Sequence, residues 1–297
     1  MAGRKRRNVT LNDIDRWIRQ GYGSGERESY LPWLRIQDVP SRGVSKLVPG
    51  TTVKRGHHLL SKLEFLLFLY FDFSHHVIDI REQYPLLPLA ETLSAADQLS
   101  IHHPVYPGTT TPVVLTIDFL LTLKKSTGDT RFLSVEGKYK SEFECAGRRA
   151  SLKCKRLFEK LELKRHWCKA RNIEFFVATE DLIPPSLNFN LRVLNQVASP
   201  LAPFRVNANK AVFLGVLANL PWEGVPLEEL LSTVASQTGH TTRQALELFK
   251  HYVWHHWIEI DLYTKLDLRA PLPILRVADG DSARNGFYQQ LSRELAA

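Results

Sequence analysis

Only three cysteines occur in 297 residues, at positions 145, 154 and 168, and no two of them have C-x-x-C spacing. An odd set without that spacing argues against a disulfide framework and against a zinc knuckle. No apolar run approaches the ~18 residues that a membrane span requires, and no signal peptide opens the sequence. The histidine pairs at 57/58, 75/76, 102/103 and 255/256 come without an H-E-x-x-H pattern. Neighbouring histidines on a strand or helix point apart, so a zinc centre is not expected. Internal repeats are lacking as well. These absences lead us to expect a soluble, reduced, cytoplasmic protein with no membrane partner.

Negative charge is also in short supply, with 31 Asp and Glu against 39 Lys and Arg, a net charge of +8. That balance favours an anionic partner such as nucleic acid, although an acidic protein surface would satisfy it equally. With 44% hydrophobic and 24% charged residues, the composition is that of a folded globular chain. Its length suggests about two domains.

The informative stretch is 116–140, TIDFLLTLKKSTGDTRFLSVEGKYK. Alternation predicts two strands joined by a turn at Ser126-Thr127-Gly128-Asp129. Glu136 and Lys138 then point the same way, and hairpin pairing brings Asp118 alongside. Two carboxylates and an amine on one sheet face suit phosphodiester hydrolysis. Mg²⁺ takes one or two carboxylates plus water and phosphate, and a lysine beside it can hold the attacking water or offset charge on phosphorus. A solvated edge hairpin would produce the same E-x-K spacing.

Upstream, 59–73 (LLSKLEFLLFLYFDF) predicts a helix apolar almost all round, hence buried. Glu64 inside it needs a partner, which a metal or a buried Arg or Lys could supply. Residues 77–80 predict a short strand that stops at Arg81-Glu82-Gln83-Tyr84-Pro85, and 97–104 a loop. Downstream, 146–171 predicts a basic helix and 173–179 a buried strand, which completes an α/β unit ending near Pro184-Pro185.

Residues 1–56 form a basic extension with interleaved aromatics, either a phosphate-tracking arm or a segment packing its tryptophans on the core. The candidate DNA contacts are Arg4, Lys5, Arg6, Arg7, Arg35, Arg42, Lys54 and Arg55, with Lys140, Arg148 and Arg149 further on. In the last third, 209–220, 226–238 and 241–257 predict three helices, followed by a strand over 258–268. That order suggests a winged-helix module. Its third helix is rich in Trp, Tyr and Phe rather than Arg, which favours protein docking or packing over groove reading.

The order Glu64 in a buried helix, Asp118 in T-I-D-F, and Glu136 and Lys138 in E-G-K, then a basic helix and an apolar strand, resembles the PD-(D/E)xK nucleases. Within them the text is similar to the TnsA endonuclease subunits of heteromeric transposases. His57-His58-Leu59-Leu60-Ser61, Ile80-Arg81-Glu82-Gln83, His103-Pro104, Lys160-Leu161-Glu162-Leu163 and Ile173-Glu174-Phe175-Phe176 carry that similarity, with Pro32-Trp33-Leu34 and 37–43 upstream. The resemblance spans roughly residues 25–195. It implies an α/β, restriction-endonuclease-like core of mixed sheet flanked by helices over 57–185, and agrees in general layout only with the winged-helix-like domain read over 186–297. It further implies that Glu64 and Asp118 bind and bridge metal, and that Lys138 is the catalytic lysine. Glu136 stands where TnsA often has Gln, so either its side chain or only its backbone carbonyl would serve the metal. Two Mg²⁺ ions, replaceable by Mn²⁺, would act per site. The implied activity is cleavage of the 5′ ends of a transposon in double-stranded DNA, alongside a TnsB-like DDE transposase and a TnsC-like AAA+ ATPase, in a bacterial cell. A stand-alone repair or restriction nuclease and a non-catalytic DNA-binding scaffold are the alternatives.

Overall fold

Short runs of apolar and β-branched residues alternate with longer helical ones, and the computed structural model arranges them as two units, 1–182 and 183–297. The structure describes residues 8–39, 45–125, 127–198 and 206–278. In the first unit, α1 (Leu11–Arg19) precedes a two-stranded antiparallel ladder, β1 (Lys46–Pro49) with β2 (Gly56–Leu59). Then come α2 (Lys62–Phe73), β3 (Val77–Pro85), α3 (Leu89–Gln98), β4 (Thr116–Lys124), β5 (Thr130–Gly137), α4 (Arg148–Lys169) and β6 (Glu174–Ala178). The main sheet has the order β3-β4-β5-β6. Its first two pairings are antiparallel and β5–β6 is parallel, so the sheet is mixed. A parallel return needs a long crossover, and the 22-residue helix α4 supplies it.

Apolar residues from both flanking helices seal the sheet. Phe71 of α2 meets Phe119 edge-on at 5.3 Å between ring centroids. Leu163, Trp167 and Cys168 of α4 join Ile117, Leu86, Ala95 and Ala96 in one buried cluster. Ser61 caps helix α2, its hydroxyl accepting the Glu64 N–H, and ten of the twelve helical residues are buried. Such a helix, apolar all round, is stable only inside a protein.

Several expectations are corrected here. Strand β3 does not stop at residue 80 but runs to Pro85, because the polar side chains of its second half find partners indoors. Arg81 donates to Thr122 and pairs with Asp79, Glu82 takes Arg55 and His57, and Gln83 takes Glu64. Helix α3 occupies a segment that carried no predicted element beyond a loop starting at residue 97. Cys145 and Cys154, expected as free thiols, are joined by a disulfide across nine residues, while Cys168 is free and buried.

The described residues of the N-terminal extension fall in the first unit. Trp33 is fully buried in a cluster with Val9, Ile14, Tyr106 and Val114, and Trp17 meets it edge-on. Gly23 has φ +78° where its backbone passes Pro85 so closely that a Cβ would lie 2.1 Å from Cγ, which only glycine tolerates.

The second unit contains α5 (Pro185–Asn195), α6 (Val206–Ala218), α7 (Leu227–Thr238), α8 (Thr242–Trp254) and an antiparallel pair, β7 (Ile258–Ile260) with β8 (Ile274–Val277). The strand expected over 258–268 is only three residues long. Beyond it the chain turns, held by Asn190, whose amide donates to the carbonyls of Leu262 and Thr264 and accepts the Leu266 N–H.

Candidate active site

Strand register brings the predicted residues together. Glu82 pairs with Phe119 and Tyr84 with Ile117, which sets Gln83 opposite Asp118. Phe119 pairs with Val135, and one step further Asp118 lies beside Glu136, whose Oε2 faces the Asp118 N–H at 3.4 Å. Asp118 Oδ2 accepts the Gly137 N–H at 2.9 Å. Lys138, just past the end of β5, places its ammonium 2.8 Å from Glu136 Oε1, 2.8 Å from the Gly137 carbonyl and 3.5 Å from Asp118 Oδ2. Those three acceptors match the three donors of an ammonium group.

Glu64 enters from the first turn of α2. Its Oε2 accepts the Leu60 N–H at 2.8 Å and the Gln83 amide at 3.2 Å. Gln83 in turn accepts the Thr116 hydroxyl, and its backbone is left-handed at φ 50°. A left-handed glutamine inside a strand is strained unless its surroundings dictate it. Here the amide spans α2 and β4.

The electrostatics separate the three carboxylates. Burial raises Glu64 from its ordinary 4.5 to about 8, and the neighbouring Asp118 charge adds to the rise. Burial likewise lifts Asp118, assisted by Glu136. Burial would lift Glu136 too, but the ammonium groups of Lys164 and Lys138 outweigh it and hold that carboxyl below its ordinary value. Lys138 is lifted despite its burial, because Asp118 and Glu136 both favour its charged form.

Two residues of the site carry no sequence signal of their own: Gln83 of β3 stands only within Ile80-Arg81-Glu82-Gln83, and Lys164 of α4 only within the basic helix expected over 146–171. Lys164 is buried and bonds Glu136 Oε1. It is one lysine among many on a basic helix, at a spacing that becomes meaningful only when α4 lies across β5.

A divalent ion would need hard oxygen donors here. Among the described residues, no group of three or more His, Cys, Asp or Glu side chains is gathered to hold a metal. Of the two hard carboxylates, Glu64 is buried and Asp118 half-buried, and the Asp118 charge raises the proton affinity of Glu64. That fits a hard cation that takes one or two carboxylates and keeps water and phosphate as its other ligands. The histidines are engaged elsewhere: His57 on Glu82, His103 on the Pro104 carbonyl and Thr92, and His251 on the Val197 carbonyl.

The expected DNA contacts divide. Arg4, Lys5, Arg6, Arg7 and Arg42 lie outside the described residues. Arg55 is not a free surface cation: it grips buried Glu82 through two bonds of 2.7 and 2.5 Å. A bidentate arginine on a buried carboxylate is committed to the fold. Arg35 lies 3.6 Å from Asp38 and over the Tyr22 ring, and Lys140 pairs with Asp181. Lys54 and Arg149 are exposed, and Arg148 begins α4.

Residues 74–180 match the family described as the TnsA-like endonuclease N-terminal domain. Over these residues the chain is TnsA-like. The match holds Asp118, Glu136, Lys138 and Lys164, and starts ten residues after Glu64. The chain is also 36% identical over 184 residues to the transposon Tn7 transposition protein TnsA of Escherichia coli. That alignment covers 62% of this chain and 62% of the relative, so the TnsA-like portion spans less than two thirds of either protein. No helix among the described residues is long and apolar enough to cross a membrane.

Proposed function

We propose that this chain is a metal-dependent DNA endonuclease that cleaves the 5′ ends of a transposon during cut-and-paste transposition, with a DDE transposase and an AAA+ regulator as partners. The Glu64 and Asp118 carboxylates beside Lys138, the latter two inside the TnsA-like match, carry the reading. The name of the Escherichia coli relative, a transposition protein, supports the biological setting. The basic balance of the chain suits DNA as substrate.

In this mechanism Glu64 and Asp118 would hold Mg²⁺, for which Mn²⁺ would substitute, with two ions per site as the proposed number. When bound, the cation supplies a more acidic water and offsets charge on the phosphoryl oxygens. The protein does the orienting. Gln83 and the Leu60 N–H fix the Glu64 carboxylate, and the Gly137 N–H fixes that of Asp118. Lys138 presents a charged ammonium at the site's edge, able to hold the attacking water and to meet negative charge as the bond breaks. Glu136, already bound by two lysines, serves Lys138 more than the metal. The second unit, with its helices and two-stranded ladder, serves in this reading as a winged-helix-like docking module for the regulator.

The test is strand cleavage of DNA carrying the element's ends, with the partner transposase and Mg²⁺ present. Asp118→Ala and Lys138→Ala should each lower cleavage by at least about 100-fold with the melting transition preserved. An Asp118→Ala protein that still nicks those ends refutes the assignment.

A further inference from the structure

Helix α4 is basic along most of its length, but its cations are not equivalent. Arg156 and Arg165 pair with Glu159 and Glu162 on the same helix. Lys164 instead turns inward, is 8% exposed, and reaches Glu136 on β5. The oxygen it meets, Oε1, is the one that also accepts Lys138. Two ammonium groups therefore share one buried carboxylate oxygen.

The sharing has a consequence for Lys138. A buried carboxylate with a single cation cannot release it without becoming an uncompensated charge. Were Lys138 the sole partner of Glu136, it would be pinned there. With Lys164 in place, Lys138 can leave Glu136 for the substrate while the carboxylate stays paired. A carboxylate so neutralised is also a poor competitor for a cation, which leaves Glu64 and Asp118 as the available ligands.

We propose that Lys164 is a positioning residue of the nuclease site: it is the permanent counter-charge of Glu136, keeping that carboxylate off the metal and freeing Lys138 for the scissile phosphate. This rests on the nuclease reading above. It has a signed consequence that a purely structural ion pair lacks. Without Lys164, cleavage should weaken because Lys138 is then pinned on Glu136, while metal binding should tighten because that carboxylate, with one cation in place of two, keeps negative charge to offer a metal.

The full-length chain is titrated with MnCl₂ while its melting is followed without DNA, and end cleavage is measured in parallel. Lys164→Met should lower cleavage on the order of 100-fold. Its Mn²⁺ midpoint for stabilisation should fall about tenfold, the scale on which groups behind metal ligands act. Cleavage within roughly threefold of wild type, or a midpoint that rises, overturns the proposal. If Lys164→Met does not fold, Glu136→Gln is compared with the double variant Glu136→Gln/Lys164→Met, in which both charges of the pair are gone. Acting only through Glu136, Lys164 should then be dispensable, and equal Mn²⁺ midpoints are expected. A weaker midpoint in the double variant overturns the proposal. Wild-type protein that shows no Mn²⁺-dependent stabilisation at all removes the nuclease reading itself. Wild type and Lys164→Met responding alike removes only the role of Lys164.

Discussion

Glu64 and Glu82 are the same side chain, both buried, and their proton affinities diverge because of what was buried with them. Glu82 has Arg55 and His57 against its carboxylate and is held down to about 2 although burial opposes this. Glu64 has amide donors and a neighbouring Asp118, and is pushed up to about 8. The stability consequences have opposite signs. A carboxyl raised in the folded state binds its proton more tightly there, so metal-free stability falls as pH rises from 4.5 towards about 8. Glu64→Gln should therefore melt higher than wild type near pH 8 without metal, and this advantage should vanish near pH 5 or when Mn²⁺ is added. Melting curves at the two pH values check it. Glu82 stabilises above its ordinary 4.5, and that contribution is lost as pH falls towards about 2. Glu82→Gln strands Arg55 and should cost about 3–5 kcal/mol in denaturant unfolding at neutral pH. Sequence alone marked Glu64 as needing a partner, but not which kind. Nothing in the residues flanking Glu82 announced that its carboxylate would be sealed from water.

At the scale of elements, the paired strands β4 and β5 were legible because alternation on both sides of good turn chemistry is the pattern of two neighbouring strands. The buried helix α2 was legible from its apolar run, starting three residues later than that run because Ser61 caps it. That cap is local and testable. Ser61→Ala removes the acceptor of the Glu64 N–H, 3.0 Å away, and should lower stability by about 1 kcal/mol, measurable by thermal melting. Strand β3 was half legible. Arg-Glu-Gln reads as surface or turn until the partners that bury it are known, and those partners lie on β2, α2 and β4. The disulfide between Cys145 and Cys154 was missed for a related reason: with no recognised spacing, the pairing depends on how the segment before α4 folds back on that helix.

Over the whole molecule, the chain divides near the Pro184-Pro185 step, and the basic N-terminal segment, as far as it is described, belongs to the first unit. Of the cations expected to grip DNA, Arg55 is consumed by the fold, which leaves 4–7 as the strongest cluster in the sequence. Full-length protein should lose DNA affinity steeply with added salt. Deleting residues 1–7 should make the slope of log K against log salt shallower by up to about 0.9 for each phosphate that the arm no longer neutralises. A slope unchanged by the deletion, read by fluorescence anisotropy at several salt concentrations, removes the arm from the interface. The amino-acid sequence by itself determined the paired strands, the apolar helix and the E-G-K spacing, because periodicity and local charge act over a few residues. Only the tertiary structure decided that Gln83 and Lys164 belong to the site and that Arg55 does not. The free energy of a buried charge depends on which distant partner meets it, and such meetings, across 19 to 28 residues here, are made by packing.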